Sequence, residues 1–181
     1  FYQCSIVSIK LPRSNITFTG NPFTLSKKIK EIDTSENPNF DFIDGVLYGD
    51  KKTRIIYCNF SKSGDYIIPN TVRTIGRDAF YFCDKLTSVI IPNSVTSIEE
   101  KAFYGCRGLK TVEMGESVKV IEKNAFSECW NMTSMTISGG VEFLGPSVLT
   151  GSRSLAELKF VGELLNFKMV DGVLFDKDMT R

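Results

Sequence analysis

The 181-residue chain carries 22 Lys plus Arg against 21 Asp plus Glu, a formal net charge of +1, with 42% apolar and 24% charged residues: the make-up of a packed chain, not a disordered one. Interspersed charge offers no field for nucleic acid, and no run of about 20 apolar residues is present to span a bilayer. The sequence holds no His, which removes the commonest general base, the usual partner of Ser and Cys nucleophiles and a frequent zinc ligand; no catalytic, cofactor or metal residue is assigned, and an enzyme is not expected.

In chain order, Ile6-x-x-Ile9-x-Leu11-Pro12 alternates apolar residues up to a proline and reads as a short strand, and Ile32 repeats the Ile9 position 23 residues later. Residues 1–38 are therefore read as degenerate repeats. Residues 1–30 hold five cations (Lys10, Arg13, Lys27, Lys28, Lys30) and no acid, followed by six acids from Glu31 to Asp50, which predicts local neutralisation and not a phosphate patch. Residues 39–65 depart from the period. They read as an inserted hairpin, with Phe42 to Tyr48 extended, Gly49-Asp50-Lys51-Lys52 turning and Thr53 to Cys58 returning.

From 66 to 160 the period of 23 is regular. Ala79-Phe80, Ala102-Phe103 and Ala125-Phe126 form one column, and Cys83, Cys106 and Cys129 another. Val72, Val95, Val118 and Val141 follow suit, as do Ile75, Ile98, Ile121 and Leu144; Leu86, Leu109, Met132 and Leu155; and Val89, Val112, Met135 and Leu158. The fourth copy decays, with Val148-Leu149 for Ala-Phe and Ser152 for Cys. In each unit Leu86-x-x-Val89-x-Ile91 predicts a strand ended by Pro92, and the spacing of Ala102, Phe103 and Cys106 within Glu99 to Cys106 predicts a short helix. No unit can bury its apolar face alone, so units must stack, with seven strand-bearing coils expected at Ile9, Ile32, Tyr66, Val89, Val112, Met135 and Leu158. Residues 161–181 begin a second hairpin unit: Asn166-Phe167 to Arg181 matches Asn39-Phe40 to Arg54 at an offset of 127, sharing Asp171-Gly172-Val173-Leu174-Phe175 with Asp44-Gly45-Val46-Leu47-Tyr48. Ile55-Ile56-Tyr57-Cys58 has no counterpart after Arg181, and the chain begins at Phe1 without a basic-then-apolar leader, so a fragment of a longer chain is expected.

These units, best seen in Ile68-Pro69-Asn70-Thr71-Val72-Arg73-Thr74-Ile75-Gly76-Arg77-Asp78-Ala79-Phe80-Tyr81-Phe82-Cys83, resemble the BspA-like class of leucine-rich repeats. The Asn-Phe…Asp-Gly-Val-Leu-Tyr hairpin is a further mark of that class. Departures are Gly115 and Ser138 in the Pro column, Val148-Leu149 in the Ala-Phe column, and Glu99 and Glu122 in the Gly column; they are expected to weaken individual coils without disturbing the register. The resemblance implies an α/β repeat fold, a leucine-rich-repeat solenoid that is a curved right-handed coil stack with inserted β-hairpins and strands on the concave side, over 1–181 as a single unit. It also implies a non-enzymatic interaction module in cell-surface adhesion or host binding, with a protein partner or a glycan as the alternative. An intracellular scaffold packed into a cytoskeletal or other large assembly is the competing reading.

Five cysteines (Cys4, Cys58, Cys83, Cys106, Cys129) are expected to be free, the column members buried as small hydrophobes, since a spacing of 23 suits no short zinc motif. Sequons at Asn15, Asn59 and Asn131 occur at about the frequency that composition gives. Glu99-Glu100 and Asp176-Asp178 read as solvated surface, and Gly45 and Gly139-Gly140 as turns. What remains is the outward set of the strand face: Thr87, Ser88 and Ile90; Lys110, Thr111 and Glu113; Thr133, Ser134 and Thr136; Ala156, Glu157 and Lys159. This hydroxyl-rich face is the candidate partner-binding surface.

Overall fold

The computed structural model describes residues 1–170 and 173–176. Strands β1 (Ser8–Lys10) and β2 (Glu31–Asp33) lead into β3 (Asp41–Ile43), β4 (Val46–Gly49) and β5 (Arg54–Cys58). There follow β6 (Gly64–Ile67), β7 (Thr74–Ile75), β8 (Leu86–Ile91), β9 (Ser97–Ile98), β10 (Thr111–Met114), β11 (Val120–Ile121), β12 (Ser134–Ser138), β13 (Phe143–Leu144) and β14 (Glu157–Val161), then β15 (Phe167–Val170) and β16 (Val173–Asp176). One sheet stacks β6, β8, β10, β12 and β14 in parallel, and a second runs β13, β11, β9, β7, β5, β4, β3. The strand columns pair in register: Tyr66 with Val89, Val89 with Val112, Val112 with Met135 and Met135 with Leu158, while Ile9 pairs with Ile32 in a separate two-stranded sheet. The result is a β-solenoid.

The α/β label fails, because no helix exists among the described residues. Asp78, Lys101, Asn124 and Ser147 all have left-handed backbone (φ 56, 56, 57 and 60°), and so, four residues on, do Phe82, Gly105, Glu128 and Gly151 (54, 69, 60 and 81°). A right-handed helix cannot run through such residues. Alternate amides are also committed elsewhere. The N–H groups of Phe80, Phe103 and Phe126 donate to the carbonyls of Ala102 (2.7 Å), Ala125 (2.8 Å) and Val148 (3.0 Å) in the next coil, and those of Phe82, Gly105 and Glu128 to Tyr104, Ser127 and Thr150. The amides between them close three-residue turns, as Ala102 does to Glu99 and Cys106 to Phe103. Spacings of one, three and four can thus mark a turn ladder as readily as a helix.

The side chains follow the ladder. Phe103 is fully buried between Phe80 (centroids 4.7 Å apart, 9° between planes) and Phe126 (5.0 Å, 6°). Burying each such ring is worth a few kcal/mol. Cys106 Sγ donates to the Phe80 carbonyl (3.0 Å) and Cys129 Sγ to that of Phe103 (3.3 Å); Ser152 Oγ makes the same bond to Phe126 (3.1 Å). Serine in the fourth copy therefore preserves the donor that the column requires.

The first inserted segment is a meander, not the single hairpin expected from Phe42 to Cys58, because the Phe42 to Tyr48 arm is not one strand. Asp44 and Gly45 (φ 48 and 79°) break that stretch into β3 and β4, as an Asp-Gly pair with positive φ at both residues does in a tight two-residue turn. The next turn holds Asp50, Lys51 and Lys52, all with positive φ. Strands β4 and β5 are covered on both faces: Val46, Tyr48, Ile55 and Cys58 join the core of the regular coils, while Leu47, Ile56 and Tyr57 join a smaller core with Leu11, Phe23, Ile29, Ile32 and Phe40. Tyr66, in the column of Val89 and Val112, sets its hydroxyl 2.6 Å from that of Tyr48, which satisfies both buried groups. Strands β15 and β16 pair antiparallel, Phe167 with Asp176 and Val170 with Val173; residues 171–172 and 177–181, with the shared Asp171-Gly172 pair and Asp178, lie outside the described residues.

Phe103→Ala should cost about 3–5 kcal/mol in denaturant unfolding, by opening a cavity between two regular coils; a loss below about 1 kcal/mol would remove Phe103 from the core. Lys101→Gly separates ladder from helix. A left-handed site should tolerate Gly or gain from it, whereas a helix interior would lose about 1 kcal/mol, read from the same unfolding midpoint.

Candidate interaction surface

Between the buried columns of the five-stranded sheet, outward residues line up in two rows across the coils. One row pairs Asp65 with Ser88, Ser88 with Thr111, Thr111 with Ser134 and Ser134 with Glu157. The other pairs Ile67 with Ile90 and Ile90 with Glu113, then Thr136 with Lys159. A period of two puts one face of each strand outward, and parallel registry repeats that face at every coil. Thr111, Glu113, Ser134, Thr136, Glu157 and Lys159 line a depression of about 300 Å³. Lys159 Nζ lies 2.8 Å from Glu157 Oε1, while Glu113 has no ion pair among the described residues.

The remaining sequence candidates stand at the entrance to the strands. Thr87 Oγ1 donates to Asp65 Oδ1 (2.8 Å) and Thr133 Oγ1 to the Lys110 carbonyl (3.2 Å); Lys110 is exposed. Ala156 is exposed one residue before Glu157. Asp65 and Ile67 belong to the same rows, a membership implied by the Tyr66 anchor but absent from the outward set. Hydrogen bonds from Ser88 and Thr87 hold the Asp65 carboxyl below its ordinary pKa. Ile67 is 66% exposed and Ile90 38%, so this end of the sheet is apolar.

Two other sequence readings change. Glu99 and Glu100 are not merely solvated: Glu99 takes Arg54 in a two-pronged pair (2.7 and 2.5 Å) and accepts the Arg77 amide at 2.9 Å, and Glu100 pairs with Arg77 at 3.2 Å. Glu122 similarly accepts the Glu100 amide at 2.8 Å. The acids in the Gly column thus tie coils together instead of weakening them. A Cβ on Gly76 would lie 2.6 Å from the Ile55 carbonyl and 3.2 Å from the Arg54 guanidinium, so glycine there clears the path by which Arg54 reaches Glu99. The sequons also divide. Asn59 is buried, with its side chain donating to Ile29, whereas Asn15 and Asn131 are exposed.

Cys58, Cys83, Cys106 and Cys129 are free and buried, and Cys4 is half-buried. Burial pushes the Cys129 thiol up to about 12 from 9.0, and raises Cys83 and Cys106 for the same reason. No group of three or more His, Cys, Asp or Glu able to hold a metal stands together among the described residues, and no helix there is long and apolar enough to cross a membrane.

The column thiols should react with an aromatic disulfide reagent only after unfolding, with Cys4 reacting first. Thiols protonated at higher pH in the folded chain lend stability that is complete below their unfolded pKa and lost as pH rises through the folded one. Stability measured in denaturant should therefore be flat to about pH 8 and fall from 9.0 towards about 12. A fall on acidification alone would contradict this.

Sequence comparison matches the BspA type Leucine rich repeat region in six copies, over residues 1–63 and 52–170. No curated protein matches the sequence significantly. Among solved structures, the pneumococcal vaccine antigen PcpA superposes with a TM-score of 0.81 at 25% identity, over 88% of this chain and 40% of its own. A leucine-rich repeat protein of Eubacterium ventriosum (TM-score 0.67, 24% identity, 88% and 50% covered) and a leucine rich cell surface protein of Faecalibacterium prausnitzii (0.61, 24%, 88% and 49%) share the fold. The chain spans half or less of the length of each.

Proposed function

The chain belongs to the BspA-type leucine rich repeat family, and we propose that it acts as a non-enzymatic interaction module in adhesion or host binding, its partner a protein seated on the five-stranded sheet. The observation that carries this is the pair of outward rows. Their residues vary from coil to coil while the columns beneath repeat, and they close around the depression between Thr111, Glu113, Ser134, Thr136, Glu157 and Lys159. An apolar end at Ile67 and Ile90, graded into hydroxyls and then charges, offers one partner several kinds of contact. Comparison with a pneumococcal vaccine antigen supports a surface role.

Because acids and bases mix on this face, affinity should depend weakly on salt. Reversing both Glu113→Lys and Lys159→Glu in a folded protein should lower its retention on cultured host cells, read by flow cytometry, by about tenfold or more. Reversing Lys123 on the turn side should not. Unchanged retention in the double variant would remove the sheet as the binding face, and contacts spread over hairpins and turns would favour a packed scaffold.

A further inference from the structure

A second surface lies outside those rows, in the loop column that follows the buried cysteines. There Asp84, Arg107, Trp130 and Arg153 recur at the 23-residue period. Arg107 stacks on Trp130 with its guanidinium carbon 4.0 Å from the ring centre and lies 5.2 Å from that of Phe82, and Arg153 stands 5.9 Å from the Trp130 ring. Coil order puts Arg107 one turn before the indole and Arg153 one turn after it. Trp130 is nevertheless 39% exposed, and Glu128 fixes it by accepting the indole N–H at 2.6 Å.

Cations outnumber acids at this edge, with Lys85, Arg107, Lys110 and Arg153 against Asp84 and Glu128. Neither Arg107 nor Arg153 has an ion pair among the described residues, nor do Lys85 and Lys110 beside them. The two nearby acids point at neutral donors and not at the guanidiniums, Glu128 accepting from the indole and Asp84 from the Arg107 amide at 3.2 Å. The buried Arg107 Nε finds no acceptor in the described chain. We propose that this edge is a docking site for an acidic peptide segment, whose carboxylates pair with the two guanidiniums while its apolar side chains rest on the exposed indole. Guanidinium forks match planar carboxylates bidentately, and Trp flanked by Arg is the composition of a binding hot spot. A sugar ring is the poorer fit, because a neutral sugar offers the two guanidiniums no carboxylate to pair with.

Trp130 is the chain's single Trp, so its emission reports on the site without a label. Titrating the protein with a hexaglutamate peptide should change that emission saturably at low salt, with the response fading as screening increases. Hexalysine should leave it unchanged. Arg153→Gln should weaken hexaglutamate binding about tenfold with an unaltered melting curve, and Arg107→Gln at least as much, provided its melting curve shows it folded. No response, a response equal in Arg153→Gln, or a response to heparin but not to hexaglutamate would overturn the proposal. The test is independent of the sheet rows, since Glu113→Lys with Lys159→Glu should leave it intact.

Discussion

Each 23-residue coil lacks a partner within itself for most of its backbone polar groups, and the rest of the structure follows from handing those bonds one coil onward. Buried amides and carbonyls must be paired, and a short coil with neither helix nor local hairpin can pair them only with a neighbour. Three ladders meet the requirement: the five-stranded sheet, the short strands that extend the meander, and the turn side where Phe80, Phe103 and Phe126 donate to the next coil. Parallel strand spacing is about 4.8 Å, and the Phe rings stack at 4.7 and 5.0 Å because the backbone sets that interval first. A residue suited to one coil is then suited to the same position in the next, which is why the sequence repeats.

That dependence decides what the sequence displays. Columns of like residues are legible because each side chain packs on its own copy, and the strand anchors Tyr66, Val89, Val112, Met135 and Leu158 fall where the period puts them. The turn side is illegible by apolar pattern alone. Ala102, Phe103 and Cys106 would line one face of a helix equally well, and the positions that forbid it, Asp78, Lys101 and Asn124, carry residues with no single signature of left-handed backbone. Asp44-Gly45 did carry such a signal, a tight-turn pair set within what reads as one extended run. The outward rows were readable as alternation. The stacked column of Arg107, Trp130 and Arg153 was not, because unlike residues in register do not announce themselves as a column.

The meander solves a problem that a uniform stack does not have. Strands β4 and β5 are buried on both faces, so they form a wall between two cores, and alternate residues serve opposite sides: Ile55 the regular coils, Ile56 the smaller core. A polar tie crosses the junction. Arg54 on β5 passes over Gly76 to reach Glu99 two coils away, so glycine at one level and glutamate at the next belong to a single interaction. Such a half-buried, two-pronged pair fixes orientation more than it adds stability, since desolvating both groups offsets much of their attraction. Removing either partner alone would leave the other partly buried and uncompensated.

The same backbone logic locates where binding can evolve. Residues inside the ladders answer to a copy above and a copy below, and their substitution is transmitted to neighbours. Ser152 shows how narrow the tolerated change is: it replaces Cys and keeps the bond to the carbonyl of Phe126. Few outward or loop-column side chains tie one coil to the next, Thr87, Thr133 and Asp84 among them, so most of these positions can differ coil by coil at little cost to the stack. Regular spacing nevertheless turns any such differences into an ordered surface, one residue per coil about 4.8 Å apart. A solenoid of this kind therefore separates its two tasks by side-chain direction, with stability written in repetition and recognition in departures from it.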